Sequence, residues 1–164
     1  MWDNSGPPVN RSLGYGSCHD RRSPADAAIV ERVHASFARQ GAMATLGAEL
    51  EDVAPGHVAI AVPIEPRLSQ QHGFLHAGVV AAALDTACGY AALTVMPDDA
   101  EVLTVEFKVN LLAPATGERI VAEGEVVRAG GMLTVCRGDA YAEKGNERVH
   151  VATILATTVR RRGD

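Results

Sequence analysis

One carboxylate, Asp85, stands inside the apolar run QQHGFLHAGVVAAALDTACGYAAL, which spans residues 70–93. A carboxylate can act on a substrate as a general base or as a nucleophile. On a helical wheel the residues three, four and seven positions from Asp85 are all small: Gly78, Ala81, Ala82, Cys88, Gly89 and Ala92. A substrate or another backbone can therefore approach this carboxylate closely. The structural alternative is a buried Asp that only bonds a neighbouring backbone group.

The start of the same helix is the second candidate for chemistry. Its segment HGFLHAG, residues 72–78, places Gly73, Ala77 and Gly78 where the chain turns into the helix. The first helical turn leaves unpaired N–H groups with a partial positive charge, which can hold an oxyanion. Asp85 lies about 12 Å further along the axis at roughly 1.5 Å per residue, too far to serve the same atom. If both groups act together, we expect Asp85 to come from a two-fold-related subunit.

The elements that position these groups begin after a predicted flexible leader, residues 1–24, which is rich in Gly, Pro and Ser. We interpret residues 25–164 as a single domain. Pro24 suits the first turn of a helix that Gly41 would end, and its apolar residues recur every four positions: Ile29, Val33 and Phe37.

A period of two replaces the helical pattern from Met43 onward. MATLGAELEDV and HVAIAVPIE are predicted as a strand pair that turns at Pro55 and Gly56. Four more alternating runs follow the apolar helix, and in the first of them Val102 and Val109 fall on opposite faces. Their separators, APATG, AGG and KGN, are short loops with Gly, so each is predicted to join antiparallel neighbours.

A helix that is apolar on nearly every side must be covered on nearly every side. The chain offers mainly strands for that purpose, so we predict an α+β fold in which an antiparallel sheet of five to six strands wraps around one long central helix. The remaining flank of the helix would face a partner subunit.

Composition excludes several classes of function. Aromatic residues make up 4% of the chain and the net charge is -5, which disfavours nucleic-acid binding. The three cysteines lack CxxC spacing and the histidines lack metal-binding spacing, so we expect a reducing cytoplasm, no metal and no disulfide framework.

No signal peptide is expected at the N-terminus. The apolar stretch between His76 and Pro97 is long enough to span a bilayer, but Asp85 near its middle argues against membrane insertion.

Gln70 followed by GFLHAGVVAAALDTACGYAA resembles the motif of hotdog-fold acyl-CoA thioesterases of the phenylacetate-degradation and hydroxybenzoyl-CoA type. That motif combines an Asn or Gln, a His-Gly-Gly triplet at the helix start and an Asp or Glu on the helix. Here Gln70 lies seven positions before Ala77 and Asp85 lies eight positions after it, and the departure is Ala77, where the family usually has Gly. The resemblance implies a hotdog fold and hydrolysis of acyl-CoA or aryl-CoA thioesters to the free acid and coenzyme A. It also implies a homodimer or a tetramer of two dimers, and no cofactor beyond the coenzyme A of the substrate.

The resemblance also implies roles for individual residues. Asp85 would be the catalytic carboxylate, either as nucleophile or as base toward water. The Ala77 N–H would polarise the thioester oxygen at a helix start that His76 begins. Gln70 would position water or substrate from the facing subunit, and Gln71 is its alternative. Substrate-binding residues would be Gly73, Gly78, Arg128 and Arg137, the two arginines as partners of the coenzyme A phosphates.

Structural interpretations compete with some of these roles. His76 is explained better as a helix-start residue than as a proton shuttle, and Cys88 as a small core residue because no helix start or cation activates it. Arg128 and Arg137 are explained better as solvated strand charges than as phosphate-binding residues.

Two other functions remain open from the sequence. One is a non-catalytic acyl-CoA-binding subunit. The other is a hotdog hydratase or dehydratase; this is disfavoured because no Pro follows Gly73 and because Gly78 precedes Asp85 by seven residues.

Overall fold

A computed structural model describes residues 27–162 of the chain. Its helices are α1 (Ala27–Phe37), α2 (Gly41–Leu46) and α3 (Ala77–Leu93), and a 3-10 turn covers Pro66–Leu68. Its strands are β1 (Glu49–Ala54), β2 (His57–Pro63), β3 (Ala100–Leu111), β4 (Arg119–Ala129), β5 (Leu133–Lys144) and β6 (Glu147–Arg162). The predicted leader, residues 1–24, lies outside the described residues, so the proposed domain boundary stays a prediction.

The six strands form one antiparallel sheet in the order β1-β2-β4-β5-β6-β3. Helix α3 lies against one face of this sheet and contacts the five strands β2 to β6. The predicted α+β architecture, a sheet of five to six strands around one long helix, is therefore confirmed. Within the described residues, no helix is long and apolar enough to cross a membrane.

Two short-range expectations near residue 41 are wrong. Gly41 does not end α1, which stops at Phe37, and Met43 does not open a strand: both belong to helix α2. The segment GAMATL contains Ala, Met and Leu, which are good helix formers, and the side chain of Met43 is buried. Gly47 then ends the helix in a left-handed conformation with φ 67°, which Gly adopts without strain.

The loop APATG does not form the predicted hairpin. It leads from β3 to β4, but β3 pairs with β6 while β4 pairs with β2 and β5. The other two predicted hairpins, β4 with β5 and β5 with β6, are present. The start of this loop stays beside β6, because the Leu112 and Ala113 N–H groups donate to Val151 O at 2.8 and 3.3 Å. The loop then passes the segment before α3, where Ala115 O accepts a hydrogen bond from Leu75 N–H.

A bulge in β3 changes which residues face the helix. Val102 and Val109 both pack against the core, although simple alternation places them on opposite faces. The pairing with β6 shifts between Thr104 and Glu106, and this extra residue reverses the phase of the strand.

Two glycines allow α3 to lie very close to the sheet. Gly124 of β4 and Gly138 of β5 are cross-strand partners beneath the helix. A Cβ at Gly124 would lie 2.4 Å from the carbonyl carbon of Ala87, and one at Gly138 would lie 3.1 Å from Cys88 Sγ. The alanines of α3 are therefore needed on the sheet side as well as around Asp85.

Candidate active site

The start of α3 is organised by His76. This residue is the N-cap, and its Nδ1 accepts a hydrogen bond from Gly78 N–H at 2.9 Å. Its own N–H donates to Leu68 O at 2.9 Å, which fixes the entry of the chain into the helix. A Cβ at Gly78 would meet His76 Nδ1 at 3.1 Å, so Gly78 makes room for the capping ring. The geometry matches a helix-start role for His76, with a backbone N–H as its partner.

Ala77 supplies an open donor in this first turn. Gly78 donates to the His76 side chain, whereas Val79 and Val80 donate to His76 O at 2.9 and 3.4 Å. Across residues 27–162, Ala77 N–H has no acceptor in hydrogen-bonding range, and Ala77 is exposed. No residue other than Gly has a positive φ in the same range, so Ala77 is helical without strain. The methyl group thus leaves the N–H donor in place.

Gln70 and Gly73 form the turn that precedes the helix. Gly73 N–H donates to Gln70 O at 3.0 Å, and Gln70 N–H donates to Phe74 O at 2.8 Å. Gly73 has a φ of 83°, which would strain any residue with a side chain. The Gln70 carboxamide oxygen accepts from His72 N–H, so the side chain folds back over its own loop.

Asp85 is half-buried in the middle of α3. Its Oδ1 accepts a hydrogen bond of 2.7 Å from the Thr104 hydroxyl of β3. Within the described part of the chain its Oδ2 accepts no hydrogen bond. The contact fixes one carboxylate oxygen and leaves the other able to reach a water molecule or a carbonyl carbon. Thr104 is a site residue that the sequence did not identify, because alternation alone does not say which strand covers Asp85.

A cavity of about 690 Å³ opens beside Asp85, between α1, α3 and the start of β3. This volume is within the range of small-molecule sites. Its lining includes Arg32, Ser36, Gln40, Asp85, Tyr90 and Thr104. Arg32 and Ser36 of α1 are further residues of this site that the sequence did not identify. The amphipathic pattern of α1 predicts which face of the helix is buried, but it does not predict that this face packs near α3.

The remaining predicted site residues lie apart from this cavity within one chain. Gln70, His76 and Ala77 do not line it. Arg137 pairs with Glu125 at 2.8 Å across β5 and β4, and Arg128 is an exposed residue opposite Val135. The structure therefore brings Asp85 to the cavity but separates it from the helix start and from both arginines.

Cys88 lies one turn from Asp85 but is not available for chemistry. The thiol is buried, and burial, Cys136 and Asp85 raise its pKa in that order of importance. Burial likewise raises the pKa of the Cys136 thiol to about 11. Both cysteines are free, and their neutral thiols fill small spaces in the core.

Comparison with known proteins gives the same family from sequence and structure. The family model described as thioesterase superfamily matches residues 72–149. A putative esterase of Saccharolobus solfataricus is 32% identical over 107 residues, which cover 63% of this chain and 76% of that protein. The medium/long-chain acyl-CoA thioesterase YigI of Escherichia coli K12 is 29% identical over 127 residues, covering 68% and 80%.

A solved structure extends the match to most of the chain. The thioesterase family protein of Silicibacter pomeroyi superposes with a TM-score of 0.80 at 50% identity, covering 82% of this chain and 99% of that one. Sequence identity and the superposition of the fold therefore point to the same family. The chain belongs to the thioesterase superfamily and is a thioester hydrolase with the hotdog fold.

Proposed function

We propose that this enzyme hydrolyses acyl-CoA or aryl-CoA thioesters to the free acid and coenzyme A, with Asp85 as the catalytic carboxylate. The observation that carries the proposal is the position of Asp85: half-buried at a cavity, held by Thr104 through one oxygen and open at the other. The name of the Escherichia coli relative, a medium/long-chain acyl-CoA thioesterase, supports the choice of coenzyme A esters.

The reaction needs two groups on opposite sides of the thioester carbonyl. The Ala77 N–H donates to the carbonyl oxygen as negative charge develops there. Asp85 either takes a proton from a water molecule that attacks the carbonyl carbon, or attacks that carbon itself to give an acyl anhydride that water then cleaves. In both routes the carbon–sulfur bond breaks, the sulfur leaves with coenzyme A and takes up a proton, and the acid is released.

The two groups belong to different subunits in this proposal. Ala77 and Asp85 lie eight residues apart on one helix, about 12 Å at roughly 1.5 Å per residue, so they cannot act on one carbonyl from the same chain. A two-fold dimer pairs Asp85 with Ala77 and Gln70 of the partner subunit. The dimer is the minimal active unit, and two dimers can form a tetramer.

Strand β3 supports this dimer. It is an edge strand, paired on one side with β6. Phe107 and Leu111 lie opposite the buried Ala156 and Ala152, on the helix side of the sheet, yet they are 43% and 56% exposed. Exposed apolar side chains on an unpaired edge are typical of a surface that a second copy covers.

Other parts of the site have supporting roles. Gly73 and Gly78 shape the turn at the thioester, and Gln70 positions water or substrate after its carboxamide leaves His72. Arg128 and Arg137 would bind the coenzyme A phosphates at the surface, with Arg137 exchanging Glu125 for a phosphate.

Catalysis requires no cofactor, because the carboxylate and the N–H supply the proton transfer and the charge stabilisation. The buried free thiols Cys88 and Cys136 are in keeping with a cytoplasmic location.

A thiol-release assay with short, long and aromatic acyl-CoAs tests the proposal. Asp85→Asn keeps the size of the side chain and its bond to Thr104 but removes the base, so we expect kcat to fall at least about 100-fold. Asp139→Asn is a matched control on β5, where the carboxylate binds His150 on the other face of the sheet. Full activity of the Asp85→Asn enzyme would reject the mechanism, and hydration of an enoyl-CoA without thiol release would reject the reaction.

A further inference from the structure

The cavity beside Asp85 has a polar far wall. Tyr90, on α3, is 4% exposed, and its hydroxyl accepts from Gln40 Nε2 at 2.9 Å and donates to Ser36 Oγ at 3.2 Å. All three residues line the cavity. The Ser36 hydroxyl proton and the Gln40 carboxamide oxygen have no partner among residues 27–162, so a donor and an acceptor remain for a ligand.

Gly89 opens the path from Asp85 to this wall. It lies one turn beyond Asp85 on the same face of α3 and lines the cavity. A Cβ built at Gly89 meets no heavy atom within 4 Å, in contrast to the tightly packed Gly124. Tyr90 is about 7.5 Å along the axis from Asp85 at roughly 1.5 Å per residue, which a short acyl chain or a single ring can bridge.

We propose that the acyl group lies over Gly89 and that Ser36, Gln40 and Tyr90 select acyl groups carrying a hydroxyl or carbonyl at their far end. The inference rests on the proposed function, because it assigns the acyl part of the same substrate. An unsubstituted alkyl end leaves the three polar groups without a ligand partner, whereas a hydroxyl can donate to Gln40 and accept from Ser36. The wall therefore sets both the length and the polarity of the preferred acyl group.

A binding measurement separates this inference from catalysis. The probes are the thioethers S-hexyl-CoA and S-(ω-hydroxyhexyl)-CoA, titrated calorimetrically into the full chain. We expect the hydroxylated probe to bind about tenfold more tightly, as one or two net hydrogen bonds provide. Ser36→Ala should reduce this ratio severalfold, and so should Tyr90→Phe, which retains the ring packed near Phe37 at a centroid distance of 6.0 Å. Thr45→Ala removes a hydroxyl on α2 outside the cavity and should leave the ratio unchanged.

Gly89 has its own matched pair of variants. Gly89→Val places a side chain in the open part of the cavity, and we expect S-hexyl-CoA to bind at least tenfold more weakly while S-methyl-CoA binds as before. Gly41→Ala adds a methyl at another glycine with no neighbour within 4 Å, outside the cavity, and should change neither probe.

The outcomes are distinct for the two proposals. An unchanged ratio of hydroxylated to plain probe in both wall variants, or equal loss of S-hexyl-CoA and S-methyl-CoA in Gly89→Val, overturns the assignment of the acyl pocket. Binding with the expected selectivity but without thiol release from any acyl-CoA rejects the proposed hydrolysis and leaves the pocket assignment standing.

Discussion

Ala77 shows how a residue can depart from a family pattern in its side chain and keep the group that matters. The family motif has Gly at this position, and a glycine suggests either a positive φ or a need for space. In this chain Ala77 is exposed and helical, and its N–H has no acceptor within residues 27–162. The donor that the proposed mechanism uses belongs to the backbone, so the added methyl does not remove it.

Ala77→Pro removes this donor with little other change. Ala77 is the first residue of α3, where Pro is tolerated, and His76 has φ −63° and ψ 134°, a conformation that suits a residue before Pro. We expect kcat to fall about 100- to 1000-fold, as for the loss of an oxyanion donor, with unchanged thermal unfolding. Steady-state thiol release measures the effect. Ala77→Gly keeps the donor and should stay active; equal activity of the Pro variant would remove Ala77 from the mechanism.

The sequence identified Asp85 and the helix start with its His76, but not the group that holds Asp85. Asp85 is conspicuous in the sequence because burying an isolated carboxylate in an apolar helix costs free energy unless the carboxylate has a hydrogen-bond partner or access to water. Its hydrogen-bond partner Thr104 comes from β3, whose bulge alters the alternation from which faces are assigned. Contacts between distant segments of this kind are not encoded in local spacing.

At the scale of elements, the contact between α3 and the sheet explains why the helix is so rich in alanine. Gly124 and Gly138 remove side chains from the sheet just where Ala87 and Cys88 approach it. The small residues of α3 therefore serve two surfaces: one presses on the glycine pair, and the other surrounds Asp85. The helical wheel of α3 predicts only the small residues around Asp85, because it contains no information about the glycines of the sheet.

Gly124→Ala tests the close approach. The new methyl would overlap the backbone of α3, with Cβ 2.4 Å from the Ala87 carbonyl carbon, so the helix must move away from β4. We expect the free energy of unfolding in urea to fall by about 3 kcal/mol. Gly131→Ala, in the loop after β4 where a Cβ meets nothing within 4 Å, should change it by less than about 0.5 kcal/mol. Equal stability of the two variants would show that α3 does not rest on the glycine pair.

Long periodic segments were predictable, whereas connections and short segments were not. Helix α3 and the alternating strands follow from patterns repeated over many residues. The strand expected from Met43 is wrong because six residues are too few to distinguish a helical period from an alternating one, and in the structure they form α2 with Met43 buried. The hairpin expected at APATG is wrong because the length and glycine of this loop suit a hairpin as well as a crossing, and only the pairing of β3 with β6 distinguishes the two.

At the scale of the whole molecule, the site of one chain is incomplete. Asp85 and Ala77 face the same proposed carbonyl only if two chains meet, and β3 offers an unpaired edge with exposed Phe107 and Leu111 for that contact. The fold therefore links activity to assembly. A change that separates the subunits should abolish hydrolysis even though it touches neither Asp85 nor Ala77.

Phe107→Lys tests this link. A charge on the apolar side of the β3 edge should prevent its burial against a second copy, so we expect monomers in sedimentation velocity and a loss of thiol release of at least about 100-fold. Met132→Lys, at a residue that is 68% exposed in the loop between β4 and β5, is the control and should keep both assembly and activity. An active monomer would contradict the shared site.

Complementation between two inactive variants measures the shared site most directly. Asp85→Asn and Ala77→Pro enzymes are unfolded together, refolded as an equal mixture and assayed for thiol release. In a mixed dimer one site receives Asp85 and Ala77 intact from different chains, while the other site carries both changes. Half of the dimers are mixed and each has one intact site of two, so the account predicts recovery of about one quarter of wild-type activity. Activity no higher than that of the separate variants would contradict it.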